Sequence, residues 1–186
     1  MRKKSNLKWV VSVTLASMSA SVGFTFLSSG PLGEASYAVA FLFLFVFILL
    51  GVMFDMIGVA VTASPPGPLH SMAARRERGA LEAIALIKNA EKVSSVCNDV
   101  VGDIAGIISG ATSAIVASRL MARLSTESVL IQLLISAAVT GLTIGGKALG
   151  KTTAMNNSTA IVIRTGKVIH LFYRLFGLHN TAKRKK

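Results

Sequence analysis

Val93-Ser94-Ser95-Val96-Cys97-Asn98-Asp99-Val100-Val101-Gly102-Asp103 opens an apolar stretch that runs on to Leu120. The stretch is long enough to cross a bilayer, yet its opening carries two carboxylates and an amide. On a helix Asp99 and Asp103 share one face, and Ser94, Asn98 and Gly102 share the adjoining one. An acidic side chain at the centre of a spanning helix costs about 2.5–3.5 kcal/mol on insertion scales. Lipid cannot satisfy such groups. Either they face protein, water or a cation inside the membrane, or they lie at the water boundary, where the cost falls.

Working outward, the same grammar repeats. The chain is 52 % hydrophobic and 15 % charged, too apolar for one soluble domain. Trp9–Leu27 is an uncharged run behind Arg2-Lys3-Lys4 and Lys8. Its length and the lack of a clean small-x-small cleavage site read as a retained span rather than a cleaved signal. Ser28–Glu34 is a turn-forming loop, and Tyr37–Ala63 is the most hydrophobic run, with one charge, Asp55. Ser64-Pro65-Pro66-Gly67-Pro68 ends it, because proline removes the backbone donor and disfavours helix before it. Ser71–Lys92 alternates apolar with charged residues, an amphipathic helix or helix pair broken near Gly79 and too polar to cross. Arg119–Glu127 is a short polar loop, Val129–Leu149 is a further span, and Asn156-Asn157 make a break.

Ala160–Phe176 places Val168, Leu171, Phe172, Leu175 and Phe176 on one side, with Arg164, Lys167 and Arg174 elsewhere. This predicts a basic amphipathic helix for the membrane surface, followed by a solvated tail, Lys183–Lys186, that anionic lipid could attract. In the third span, Gly102, Gly106 and Gly110 are spaced so that another helix backbone can approach closely.

These runs predict an all-α integral membrane protein with four transmembrane helices and amphipathic cytoplasmic helices. Eighteen of the twenty Lys and Arg fall before the first span, in Ser64–Lys92, or from Lys147 onward; Arg119 and Arg123 are the other two. That split places both termini in the cytoplasm of a multi-pass protein of the cell membrane. The net charge of +12 is divided among segments between apolar runs, not gathered into the footprint a nucleic acid needs, so no nucleic-acid partner is expected. Cys97 is alone and offers neither a disulfide framework nor a thiolate cluster. No phosphate loop, zinc spacing or nucleophile elbow occurs. His70, His170 and His179 lie far apart and read as surface residues without a catalytic partner, so no enzyme is expected.

Five pieces in order carry a family resemblance: Phe54–Ala63, Leu69–Gly79, Ile87–Lys92, Asn98–Gly106 and Gly146-Lys147-Ala148-Leu149-Gly150-Lys151-Thr152. Their succession resembles the transmembrane domain of the CNNM/CorC family of magnesium and cobalt transport proteins. The resemblance covers residues 37–176. Residues 1–36 add a basic N-terminus, an extra span and a short external loop, and residues 177–186 a basic cytoplasmic tail. The family's paired CBS modules are missing. Gly58 stands where the family has a first-span Glu, Lys147 where it has the Glu of Gly-Glu, and Gly150 where it has the Pro of Pro-Lys-Thr.

The resemblance implies a homodimer that binds a hard cation, magnesium or cobalt, between spans through side-chain oxygens and backbone carbonyls. Asp55, Ser94, Asn98 and Asp103, with Asp99, are the side chains in reach of that role. Asn98 matches either the family's first Asn or the Ser one turn before it; in the second register Gly102 holds the Asn position. Two functions follow. One is divalent-cation transport, with magnesium as the bound or transported ion. The other is a degenerate, non-transporting relative that acts as a structural or regulatory partner of a full-length transporter. In the second, Lys147 neutralises an internal Asp, with Asp55 as its expected partner at similar depth.

Overall fold

The computed structural model describes residues 7–29, 37–125 and 129–176. The described residues are helical almost throughout: α1 Leu7–Ser29, α2 Tyr37–Ala63, α3 Pro66–Ala74, α4 Ala80–Lys88 and α5 Ala90–Ser95 come first. A π-helical segment, Val96–Val101, leads into α6 Gly102–Arg123, and α7 Val129–Asn156 and α8 Ser158–Leu175 follow. Parts of the expected first loop, all of residues 126–128, and the basic ends, including Arg2–Lys4, His179 and Lys183–Lys186, lie outside the described residues.

Three helical runs are long and apolar enough to cross a membrane: Ala38–Ala63, Ala90–Arg123 and Val129–Asn156, of 26, 34 and 28 residues. The apolar part of α1 among the described residues, Val10–Gly23, is shorter. The described residues thus form an all-α membrane protein with three such helices.

The breaks have local causes. α2 stops at Ala63, before Ser64-Pro65, and Pro66 and Pro68 then sit in the first turn of α3, where a missing N–H costs nothing. Gly79 precedes α4 with φ +80°, a left-handed conformation that glycine adopts without strain. Asn157 divides α7 from α8.

The chain separates into two compact units, Met1–Phe54 with Val96–Ala148, and Asp55–Ser95 with Leu149–Lys186. In the first, α1 packs on α6 and on the π-helical segment. Small residues let backbones come close there: a Cβ on Gly51 would lie 3.1 Å from Ala105 Cβ, and one on Gly146 would lie 3.1 Å from Val52 Cγ2. Ala40 and Val116 close a small buried contact. Ser109 and Ser113 are buried in α6 and donate to the carbonyls of Ala105 (2.7 Å) and Gly110 (2.8 Å), which satisfies hydroxyls that lipid could not.

The second unit has its own core of Ala60, Val61, Leu69, Ala80, Ala83, Ile84, Ala154, Val162 and Ile163. Its centre is the crossing of α4 and α8. A Cβ added to Gly79 would stand 2.5 Å from Lys167 N, and one added to Gly166 would overlap the Gly79 carbonyl oxygen. The two backbones are therefore in direct contact.

α8 presents two unlike faces. The helix packs through Ser158, Val162, Ile163 and Gly166, while Val168, Leu171, Phe172, Leu175 and Phe176 are exposed. The apolar stripe read from the sequence is real. It points away from the unit, because the small Gly166 admits α4 on the opposite side.

Candidate functional site

Asp55 lies in the last part of α2 and is 4 % exposed. Its Oδ2 accepts no hydrogen bond among the described residues. Lys151 Nζ, on α7, stands 3.9 Å from that oxygen, close enough for an ion pair but too far for a hydrogen bond. The Lys151 side chain is 53 % exposed, so its ammonium keeps much of its hydration. The carboxylate is thus dry on one oxygen and only loosely compensated.

The expected partner was Lys147; the structure pairs Asp55 with Lys151, one helical turn further on. Both lysines stand on α7, which continues unbroken to Asn156, and the register in which that helix packs brings Lys151 to the carboxylate. Lys147 takes another place. Its Nζ lies 3.5 Å from where a Gly102 Cβ would be, and Gly102 is buried.

The other residues of the expected cation set are distributed as follows. Ser94 lies in the last turn of α5 and is half-buried, as is Asn98 within the π-helical segment. Asp99 and Asp103 are exposed. Asp55 and Ser94 belong to one compact unit, and Asn98, Gly102 and Asp103 to the other. No group of three or more His, Cys, Asp or Glu stands together among the described residues.

A regular α-helix was expected through this stretch. The segment Val96–Val101 is instead π-helical, with the wider i to i+5 hydrogen bonding of that turn. Within it the i, i+4 spacing of Asn98 and Gly102 no longer follows the 3.6-residue period of a regular α-helix. Such turns occur often at functional sites. Within the glycine row, Gly102 is buried, while Gly106 and Gly110 are exposed, with nothing within 4 Å of an added Cβ.

Sequence reasoning missed a second constellation. The sequence gives His170 no catalytic partner and does not show its contact: its Nδ1 lies 2.8 Å from Glu82 Oε1, joining α8 to α4. Beside this pair is a cleft of about 490 Å³ lined by Glu77, Arg78, Lys167, His170, Leu171 and Arg174. The spacing Lys167, His170, Leu171, Arg174 is one helical stripe, which the sequence does display. What it does not display is that Glu77 and Arg78, far away in sequence, line the same cleft.

The fold and these sites define an all-helical membrane protein with a buried carboxylate on a helix long and apolar enough to cross a membrane. Comparison with protein families, with curated proteins and with solved structures finds no match.

Proposed function

We propose that this chain is a divalent-cation transport protein built on a CNNM/CorC-like transmembrane domain, with α1 as a fourth span, both termini in the cytoplasm of the cell membrane, and a homodimeric assembly. One observation carries the reading: the Asp55 carboxylate is buried in a helix long and apolar enough to span a membrane, with one oxygen that accepts no hydrogen bond. A carboxylate is costly there and is characteristic of ion pathways. Hard oxygen donors suit magnesium, which keeps several waters and needs few protein ligands.

A second reading has its own support. Lys151 stands at Asp55 and Lys147 at Gly102, so an ammonium is present at two positions of the expected cation set. A tethered ammonium repels a divalent ion and neutralises a carboxylate without one. Under this reading the chain is a non-transporting partner of a full-length transporter.

Magnesium flux into liposomes separates the two. Transport predicts flux from the wild-type protein that Asp55→Asn abolishes. No flux from correctly inserted wild type, together with magnesium stabilisation that appears only in Lys147→Glu, selects the partner reading. Flux unchanged by Asp55→Asn removes the carboxylate from the pathway.

A further inference from the structure

The cleft between Arg78 and α8 is a separate site from the buried carboxylate. Three of its lining residues, Arg78, Lys167 and Arg174, are cations that form no ion pair among the described residues. His170 is held by Glu82, whose carboxylate is thereby occupied. Glu77 is the only acidic side chain lining the cleft, against three fixed positive charges. A volume of about 490 Å³ is in the range of small-molecule sites rather than of a single bound ion.

The surroundings identify the class of anion. α4 is separated from the membrane-long run Ala90–Arg123 by Asn89, and α8 from Val129–Asn156 by Asn157. The cleft is lined by α8 and by Glu77 and Arg78 of the turn that leads into α4, and both helices are tied within one residue to the end of a membrane-long helix. The outer side of α8 next to the cleft exposes Val168, Leu171, Phe172, Leu175 and Phe176, with the Phe172 and Phe176 rings stacked at 5.5 Å. Leu171 both lines the cleft and belongs to this apolar face. A water-soluble phosphate has no use for the apolar face, whereas a phospholipid needs both halves: cations for its phosphate and apolar side chains beside its acyl chains.

We propose that the cleft lined by Arg78, Lys167, His170 and Arg174 binds the phosphate of an anionic phospholipid headgroup, with the Phe172–Phe176 face of α8 against the acyl chains. Guanidinium groups from Arg78 and Arg174 suit phosphate oxygens by geometry, and Lys167 adds a point charge. Glu77 opposes the anion and weakens binding. This inference is independent of whether the chain transports cations.

The test is native mass spectrometry of the full chain in detergent with added phosphatidylglycerol or phosphatidylcholine. Wild type should retain phosphatidylglycerol preferentially. Lys167→Gln with Arg174→Gln should lower its affinity at least about tenfold, the scale expected for losing two surface cations at a lipid headgroup. Arg164→Gln, on α8 but outside the cleft, should leave it unchanged, and Glu77→Gln should raise it. The proposal is overturned if wild type shows no preference, if Arg164→Gln weakens binding as much as the double variant, or if Glu77→Gln fails to raise it. The Glu77→Gln result stands even where the double variant does not fold. Inorganic phosphate in excess should not displace the lipid; displacement would make the site one for a soluble phosphate and overturn the lipid assignment.

Discussion

Gly166→Ala tests the crossing that builds the second unit. Position 166 is inside α8, where alanine is better than glycine by about 1 kcal/mol on helix propensity alone. If α4 and α8 were loosely packed, the substitution would stabilise. The structure places the new methyl on the Gly79 carbonyl oxygen, 3.0 Å from Ala83 N and 3.1 Å from Ala83 Cβ. These are backbone atoms and a first side-chain carbon, which cannot swing aside as the end of a lysine could. Overpacking costs about 1–3 kcal/mol, and a rigid obstruction belongs at the upper end of that range. Less about 1 kcal/mol of propensity, the net effect is a destabilisation of about 2 kcal/mol. At about 1.4 kcal/mol per tenfold, amide hydrogen exchange in α4 and α8 should accelerate about thirty-fold. Hydrogen–deuterium exchange read on peptides from residues 80–88 and 158–175 measures this directly, while peptides from α6 should not change. Exchange in α4 and α8 that is unchanged or slower than wild type would refute the backbone contact, and with it the placement of Glu77 and Arg78 beside α8.

Further outcomes follow from the same geometry. Gly79→Ala should be worse than Gly166→Ala in the same assay, because a φ of +80° adds about 1–2 kcal/mol of strain to the 2.5 Å clash with Lys167 N. Lys151→Met should cost no more than about 1 kcal/mol, since the lysine is half-hydrated and 3.9 Å away, and adding Asp55→Asn should restore that loss; thermal melting in detergent followed by size exclusion checks this, and a loss of several kcal/mol would mean the pair is far drier than its exposure indicates. Gly106→Leu should leave melting nearly unchanged, because an added side chain meets open space, and should weaken a homodimer that packs through this face; a dimer that survives in cross-linking moves the interface elsewhere. In a Cys97→Ser background, Gly67→Cys should react with impermeant maleimide only from the cytoplasmic side and Ser125→Cys only from outside, whereas the reverse pattern inverts the proposed topology.

What was legible in the sequence is what neighbouring residues decide between themselves. Apolar runs with few charges are long helices whatever surrounds them, and α2, the Ala90–Arg123 run and α7 fall where those runs lie. Pro65–Pro68, Gly79 and Asn156–Asn157 interrupt helices for backbone reasons that need no partner, and all three breaks are present. Asp55 was conspicuous as the one charge in its run. Its partner was not legible: Lys147 and Lys151 share a helix face, and only the packed register of α7 selects between them. The π-helical turn likewise leaves no periodic mark, because a single inserted residue is absorbed in a stretch of Val, Cys, Asn and Asp. The apolar stripe of α8 was legible from its spacing, but the face that packs was not: two glycines far apart in sequence, Gly79 and Gly166, bring the backbones of α4 and α8 together on the other side. Contacts between distant segments depend on where whole helices come to rest, so the His170–Glu82 pair and the basic cleft beside it exist only once the chain is folded.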